Sequence, residues 1–247
     1  MTAGTSSRLR VGQAVEDGWQ AFRRSPWPFV FFALLVGVLS AIVQAIGNAG
    51  INEEGEVLGA GGLIAALVSL IGSTIVSLWG TTGLVRGAWM ALEGRRPAFA
   101  DFSRWDGAAA TRLFVRQLAL ALVILVIAAV AAVVAFGLMQ INQLLVWIPA
   151  VVALAVFVYL AVNQKFIAYV ALLQQRGPLD TIQHGRQVVD PSWWSVVLLL
   201  IVESAIILVG LLLCGVGLVA AFPLALCIST AAYRQLFGSD DQTGLAS

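Results

Sequence analysis

The sequence predicts an all-α protein, a polytopic membrane bundle of six transmembrane helices in three hairpins, with short amphipathic helices on the cytoplasmic side. Of its 247 residues, 60% are hydrophobic and 11% are charged, whereas soluble domains contain about 45–50% apolar and about 25% charged residues. The mean hydropathy is +0.93. The apolar residues form continuous runs, and the strands of a membrane barrel would alternate instead. These observations exclude a soluble enzyme, a nucleic-acid-binding protein and a disordered chain.

Six apolar runs are long enough to cross a hydrocarbon core about 30 Å thick, which takes about 20 helical residues. The links after the first, third and fifth runs are short, and those after the second and fourth are longer and carry charge. We therefore predict three hairpins, about 28–94, 113–175 and 195–238, in a single membrane domain over residues 1–247. The predicted spans are 28–46, 62–85, 113–138, 144–162 with an apolar extension to 173, 195–213 and 216–236.

The basic residues predict the orientation. All 14 Lys and Arg residues lie in the tails, in the two long links or at the helix ends beside them, and the first short link carries Glu53, Glu54 and Glu56 instead. Because Lys and Arg in short loops favour the cytoplasmic side, we expect both termini to be cytoplasmic, with residues 239–247 as a cytoplasmic tail. The first apolar run starts too far from residue 1 and is too long for a cleaved signal peptide. The expected location is the bacterial cytoplasmic (inner) membrane.

An internal repeat marks the ends of the even-numbered spans. Each ends with Ala, an aromatic residue, two variable residues and Leu, and the aromatic residues are Trp89, Tyr169 and Tyr233. Trp and Tyr favour the membrane–water interface, so we expect these three rings in the headgroup zone. Gly94 and Gly238 follow two of the matches and suit the C-terminal ends of helices.

Amphipathic segments precede the odd-numbered spans. In residues 8–24 the apolar residues share one helical face, which predicts a helix lying in the headgroup plane. Weaker versions precede the third and fifth spans. These helices either shield the cytoplasmic ends of the bundle or bind lipid or protein. The residues on the apolar face of the helix predicted in residues 8–24 are Val11, Val15, Trp19 and Phe22.

Two of the odd-numbered spans begin with a similar pair of residues. Ser25 and Pro26 precede the first span, and Asp190 and Pro191 precede the fifth. Ser or Asp followed by Pro predicts a side-chain N-cap with proline at the first helical position. The third span has no such proline.

Five arginines between the second and third spans are candidate contacts for anionic lipids or for a partner protein, because a basic juxtamembrane segment attracts anionic headgroups. This attraction is general to positive loops. The expected partners are therefore the lipid bilayer, anionic lipids and other membrane proteins, and no nucleic acid. The five are Arg95, Arg96, Arg104, Arg112 and Arg116.

Glu203 is the one carboxylate near the centre of a predicted span. An ionisable group there costs about 2.5–3.5 kcal/mol on insertion scales and marks a candidate functional site. Such a group could carry a proton, coordinate a cation or bind a substrate amine. The alternative is a structural, protonated Glu203 bonded to a neighbouring helix with help from Ser204. No basic residue is an obvious partner, since Lys165 lies nearer the cytoplasmic end of its helix.

The second span carries small residues at a spacing of four, which suits either a close helix contact or a polar cavity wall. Each step of four residues advances about 400° around an α-helix, so the stripe drifts by about 40° per step. That drift favours a crossed helix contact over a straight conduction path. Besides Ala65, the stripe consists of Ser69, Ser73, Ser77 and Thr81.

The sequence contains few residues suited to catalysis. His184 is the only histidine, and Cys214 and Cys227 stand alone in apolar surroundings. The Gly-x-Gly-x-x-Ala stretch from Gly215 lacks the strand, turn and helix of a dinucleotide site and suits a tight hairpin. We therefore expect no catalytic residue, no metal site and no cofactor, and we classify the chain as a non-enzyme.

Three segments carry a resemblance to a known family: the amphipathic segment 14–22 before Ser25-Pro26, the link from 83–86 through 94–97 to Asp101-Phe102, and the ending 222–238. In these segments the chain resembles an uncharacterised bacterial six-helix integral membrane family related to the membrane domain of glycerophosphodiester phosphodiesterases. In fusions with a phosphodiesterase the chemistry belongs to a separate soluble domain. The resemblance therefore implies a fold and a location and no activity.

Two function hypotheses follow, with a lipid-modifying membrane enzyme as a third and weaker one. The first is a non-catalytic scaffold, assembly factor or lipid-interacting accessory, and it rests on the arginines and the lack of catalytic groups. The second is a small transporter or channel for a solute, proton or lipid that uses Glu203. A transporter requires Glu203 to face a hydrated cavity, and a Glu203 enclosed in a tight contact argues against it.

Overall fold

The computed structural model describes residues 9–52, 57–213 and 217–246, and most of these residues are helical. Turns, irregular links and one bridge between Ile51 and Val57 account for the rest. Short 3-10 turns, Gln143–Val146 and Asp190–Ser192, precede two of the helices. The α-helices, in chain order, are α1 (Val11–Arg24), α2 (Pro26–Asn48), α3 (Gly59–Leu92), α4 (Phe99–Ser103), α5 (Gly107–Met139), α6 (Trp147–Asn163), α7 (Ile167–Leu173), α8 (Pro178–Val189), α9 (Trp193–Leu212) and α10 (Leu218–Phe237).

Within the described residues, six helical stretches are long and apolar enough to cross a membrane. This confirms the predicted all-α fold, and the chain is a multi-pass membrane protein in a lipid bilayer. The predicted extension of the fourth span to residue 173 is not one helix, because α6 ends at Asn163 and α7 starts at Ile167. The six stretches are Pro26–Asn48, Gly59–Leu92, Gly107–Met139, Trp147–Leu173, Pro178–Leu212 and Leu218–Phe237.

The buried core lies at one end of the bundle. There α2, α5 and α9 begin and α3, α7 and α10 end, and we call it the packed end. The opposite, open end buries little: none of the most apolar 18-residue stretch of α5 is buried. The apolar surface of α5 is therefore left to lipid or to another membrane protein. The largest buried side chains of the packed end include Trp89, Arg86, Tyr233, Phe29, Phe32, Phe102 and Phe166.

The three aromatic residues of the repeat meet at the packed end. Tyr233 stacks on Tyr169 with ring centroids 5.7 Å apart, and Trp89 lies 6.3 Å from Tyr233. All three are at most 4% exposed. The three rings therefore bury one another where equivalent helix ends converge, and their depth in the membrane stays a prediction. Gly94 and Gly238 have φ values of +89° and +97°, which confirms their place at helix ends.

The predicted helix starts are correct in part. Pro26 lies in the first turn of α2 as expected, but the side chain of Ser25 makes no capping hydrogen bond. The carboxylate of Asp190 does not cap its own helix either. It accepts hydrogen bonds from Tyr159 and Asn163 of α6 instead, at 2.8 and 3.0 Å.

The first segment forms a helix, as its apolar periodicity predicts, and α1 lies directly on α10. A Cβ atom at Gly18 would stand 2.6 Å from the Cα of Ile228, so only glycine allows this approach. Of the predicted apolar face, Phe22 is buried, while Trp19 remains 46% exposed. This exposure leaves an aromatic ring on the surface of the packed end.

Two glycines of α3 allow α4 to pack closely against it. A Cβ atom at Gly83 would stand 2.3 Å from the carbonyl oxygen of Phe102, and one at Gly87 would stand 2.1 Å from its ring. Phe102 is fully buried there, against Phe29 and Phe32 of α2. The Gly-x-x-x-Gly pair of this helix therefore serves the docking of a short helix.

We expect Gly83→Ala to lower the free energy of unfolding by about 1–3 kcal/mol, the usual cost of overpacking a core. The added methyl group meets a backbone atom, so α4 has to shift. Thermal unfolding of the purified protein in one detergent measures the effect. Gly37→Ala in α2 is the control, since no atom lies within 4 Å of its Cβ position. Equal unfolding temperatures for the two variants would contradict this contact.

Candidate functional site

Glu203, the carboxylate singled out by the sequence, lies in a closed contact of three segments. It is 4% exposed. Lys165 Nζ lies 2.5 Å from its Oε2 atom, and Ser229 Oγ of α10 donates to its Oε1 atom at 2.6 Å. Both carboxylate oxygens are thus occupied, so the group is held by charge and hydrogen bonds inside the bundle.

The break between α6 and α7 positions the lysine. The helix stops at Asn163, and Phe166, fully buried, anchors the start of the next one. Lys165 therefore reaches inward, with its side chain 20% exposed. Two expectations from the sequence are therefore wrong: Glu203 has a basic partner, and Ser204 does not support it. Ser204 is exposed on the outer side of α9, and Ser229 makes the hydrogen bond instead.

Polar side chains surround the break. Gln164 Nε2 donates to the carbonyl oxygen of Ile182 in α8 at 3.1 Å, and Asn163 Nδ2 donates to Asp190. Asn163 Oδ1 and Gln164 Oε1 are buried and accept no hydrogen bond from the protein. Buried acceptors of this kind usually bind water or another donor. The described residues hold no cluster of three metal-ligating side chains, here or elsewhere.

Arg86 in α3 is a second buried charge. From the sequence it is only a basic residue near the end of a span. It is 1% exposed. Its Nη1 atom donates to the carbonyl oxygens of Asp101 and Arg104, at 3.1 and 2.8 Å. Its Nη2 atom lies 3.7 Å from Asp106, whose carboxylate caps α5. The neighbouring Gly83 and Gly87 are the only sequence signal, because they bring α4 close enough to accept these bonds.

The C-terminal residues 242–246, which we call the C-terminal strap, fold back onto the bundle. Arg86 Nε donates to the carbonyl oxygen of Leu245 at 2.9 Å. Thr243 Oγ1 donates to Leu172 O at 2.5 Å, and Gln242 N donates to Leu173 O at 2.9 Å. Leu245 is 1% exposed. The expected tail is thus an ordered part of the packed end.

The five arginines predicted to bind anionic lipid separate into three groups. Arg116 is 7% exposed and donates to Thr181 and to the carbonyl oxygens of Arg112 and Arg176. The prediction that Arg116 contacts lipid is therefore wrong. Arg112 is half-buried.

The other three arginines have exposed side chains. Arg95 binds Glu93 at 2.6 Å and the carbonyl oxygen of Ala246 at 2.7 Å. Arg96 and Arg104 lie in the link on either side of α4, exposed to solvent. Since Arg95 already binds the C-terminal strap, Arg96 and Arg104 are the members of the set whose exposed side chains an outside ligand reaches without displacing the strap.

The small-residue stripe of α3 serves two different contacts. Ser69 packs against Gly47 of α2, where a Cβ atom would stand 2.6 Å from Ser69 Oγ. Ser73 donates to the carbonyl oxygen of Leu70 in its own helix. Ser73 and Ser77 line an open groove of about 490 Å³ between α3 and α5. Thr81 is half-buried further along the helix. The stripe thus supports packing at one end and a groove at the other.

No protein-family model matches the chain, and no curated protein or solved structure matches it either. The buried charged groups Arg86, Arg116 and Glu203 all have partners within the chain, and so has the half-buried Lys165. Arg96 and Arg104 are among the exposed charged groups that an outside ligand can reach.

We expect Lys165→Met to lower the free energy of unfolding by about 3–5 kcal/mol, because it leaves a buried carboxylate without its partner. Glu203→Gln should have a smaller effect, since the partly exposed ammonium can turn towards solvent. The double variant should recover part of the loss. Denaturant unfolding of all four proteins in one detergent gives the coupling energy. Strictly additive effects would contradict the ion pair.

We expect Arg86→Lys to loosen the C-terminal strap, because an ammonium lacks the planar fork that reaches several carbonyl oxygens at once. Carboxypeptidase digestion of the folded protein should accelerate by about tenfold or more, since one hydrogen bond to a charged group contributes about 1.5–3 kcal/mol. Arg96→Lys is the control at an exposed position. If the two variants are digested at the same rate, Arg86 does not hold the strap.

Proposed function

We propose that this chain is a non-catalytic scaffold or assembly protein of the bacterial cytoplasmic membrane that binds anionic lipid at its packed end. One observation carries the proposal: Glu203 and Arg86 bind partners inside the bundle, while the side chains of Arg96 and Arg104 are exposed at its packed end. A protein that uses charge internally for structure and externally at a single rim suits binding better than conduction or catalysis. The resemblance to a bacterial membrane-domain family agrees with this location.

The proposed orientation places the packed end at the cytoplasmic face, with the chain arranged in three hairpins. The described start of the chain at Leu9 and the C-terminal strap both lie in the core of this end. An even number of spans returns the chain to the side on which it started. The exposed arginines lie at the same end, and positive charge favours the cytoplasm.

Exposed tryptophans support a headgroup position for the packed end. Trp27 in the first turn of α2 is 67% exposed, and Trp19 on α1 is 46% exposed. Trp side chains are enriched where an apolar ring meets the headgroups. The two rings would anchor the start of the first span while α1 lies along the membrane surface.

The open end suggests how a partner would bind within the membrane. On α5, Val126 is 62% exposed and Val133 is 73% exposed. A helix with so little protein contact presents its surface to lipid or to the span of another membrane protein. The scaffold proposal assigns this surface to assembly.

Transport through Glu203 is the second candidate, and the broken helix favours it. Interrupted helices with polar groups at the break are common at the substrate sites of transporters, and this chain has one at Lys165 with two unpaired buried oxygens beside it. The occupied carboxylate argues the other way, because a transport site needs Glu203 to reach water. We therefore assign a structural role to the ion pair of Lys165 and Glu203.

We expect replacement of Arg96 and Arg104 by Gln to weaken phosphatidylglycerol binding by about 30-fold. Each juxtamembrane charge contributes about 1 kcal/mol near an anionic surface, and about 2 kcal/mol corresponds to that factor. Native mass spectrometry of the purified protein with phosphatidylglycerol and phosphatidylcholine measures the binding. The double Lys variant keeps both charges and serves as the control. Its affinity should stay close to that of the unaltered protein and fall with salt.

Two results would overturn the proposal. One is unchanged phosphatidylglycerol binding in the double Gln variant. The other comes from proteoliposomes: if Glu203→Gln abolishes proton or solute flux while the protein remains folded and lipid binding stays intact, the chain is a transporter. The scaffold proposal predicts no flux above that of empty vesicles in either protein.

A further inference from the structure

A polar cavity of about 400 Å³ opens at the packed end, where α1 crosses the ends of α3 and α10. Neither the ion pair at Glu203 nor the exposed arginines of the link belong to it. Its wall combines both signs of charge with neutral hydrogen-bonding groups. The polar lining residues are Asp17, Gln20, Arg24, Arg234, Gln235 and Ser239.

The two arginines of this cavity are held in place by contacts that leave part of each guanidinium available. Arg24 donates through Nη1 to the carbonyl oxygen of Ala91 at 2.5 Å. Arg234 lies over the ring of the buried Trp89, 5.0 Å from its centroid. A guanidinium fixed in this way loses little freedom when its other donors bind a ligand, and its planar fork suits a phosphate group.

The acidic residue of the cavity does not neutralise the arginines. Asp17 is half-buried on α1, and among the described residues no ion pair within 4 Å joins it to Arg24 or Arg234. Opposite charges therefore line one cavity without contacting each other. A ligand that carries a negative and a positive group of its own would satisfy both sides.

We propose that this cavity binds the zwitterionic phosphoethanolamine headgroup of a membrane lipid, with its phosphate at Arg24 and Arg234 and its ammonium at Asp17. The phosphate accepts charge-assisted hydrogen bonds from the guanidinium groups. The primary ammonium supplies three donors, to Asp17 and to neutral acceptors such as Gln20. A choline headgroup has no N–H to donate, and a glycerol headgroup has no positive charge.

The position of the cavity favours a lipid over a soluble ligand. Arg24 is two residues before Pro26, where the first membrane-spanning helix starts. The exposed Trp27 follows at once, and such a ring suits the headgroup zone. A headgroup could enter the cavity while its acyl chains remain beside α2.

This inference rests on the proposed placement of the packed end in the headgroup zone, yet it concerns different residues. The anionic-lipid proposal depends on Arg96 and Arg104, which do not line the cavity. Loss of phosphatidylglycerol binding in their double variant tests that proposal alone. Loss of headgroup selectivity on changing Asp17 tests the cavity alone.

The experiment titrates the purified full chain with phosphatidylethanolamine, phosphatidylcholine and phosphatidylglycerol of identical acyl chains and counts the adducts by native mass spectrometry. We expect the unaltered protein to bind phosphatidylethanolamine tighter than phosphatidylcholine by about tenfold or more, the effect of one hydrogen bond between charged groups. Asp17→Asn should abolish this preference and leave phosphatidylcholine binding unchanged. Asp17→Glu, which keeps the carboxylate, should retain most of it.

Asp180→Asn is the matched control, since Asp180 is an exposed carboxylate of α8 that does not line the cavity. Thermal unfolding of each variant shows that it is folded. A preference that survives in Asp17→Asn would overturn the inference. So would phosphatidylglycerol binding as tight as phosphatidylethanolamine binding in the variant with Gln at positions 96 and 104, which removes the proposed anionic-lipid contacts. Equal thermal stabilisation by soluble phosphoethanolamine and by the lipid would overturn the lipid as the source of the headgroup.

Discussion

The packed end depends on the burial of one guanidinium. Arg86 is surrounded by protein, and a buried charge is stable only when hydrogen bonds replace the water it has lost. Its donors reach α4, the chain that follows it, and the C-terminal strap, while Asp106 at the start of α5 lies nearby. Four separate segments are thus fixed around one side chain of α3. The aromatic cluster of the repeat forms beside it, from rings that the same convergence of helices brings together.

The sequence predicts the number and order of the spans well, because the partition of a residue between water and lipid depends on its own chemistry and on that of its neighbours in the chain. It predicts poorly how the spans pack. The stretch from Trp147 to Leu173 is interrupted by the polar residues 163–165, which the sequence places at the end of the fourth span. The contacts that these residues make with α8 and α9 cannot be predicted from the sequence. Trp89, Tyr169 and Tyr233 suit an interface by composition, and only their mutual approach decides that they are buried.

The candidate site likewise combines a residue that the sequence identifies with partners that it does not. Glu203 is identifiable from sequence because a carboxylate in an apolar run requires an explanation, whatever surrounds it. Its partners are not, since Lys165 and Ser229 are 38 and 26 residues away. Ser204 is the nearest hydroxyl in sequence, but a neighbour on a helix points about 100° away. The arginines illustrate a related difficulty: charge alone does not distinguish Arg116, which is buried, from Arg96, which is exposed.

The C-terminal strap has a consequence for the order in which the molecule is assembled. Arg86 and the carbonyl oxygen it holds are 159 residues apart in the chain. Synthesis proceeds from the N-terminus, so the guanidinium is made and its helix inserted long before Leu245 exists. Until then Arg86 Nε lacks the carbonyl oxygen to which it donates in the folded protein. The packed end therefore closes only after α10 has entered the membrane, and its closure marks the end of folding rather than its beginning.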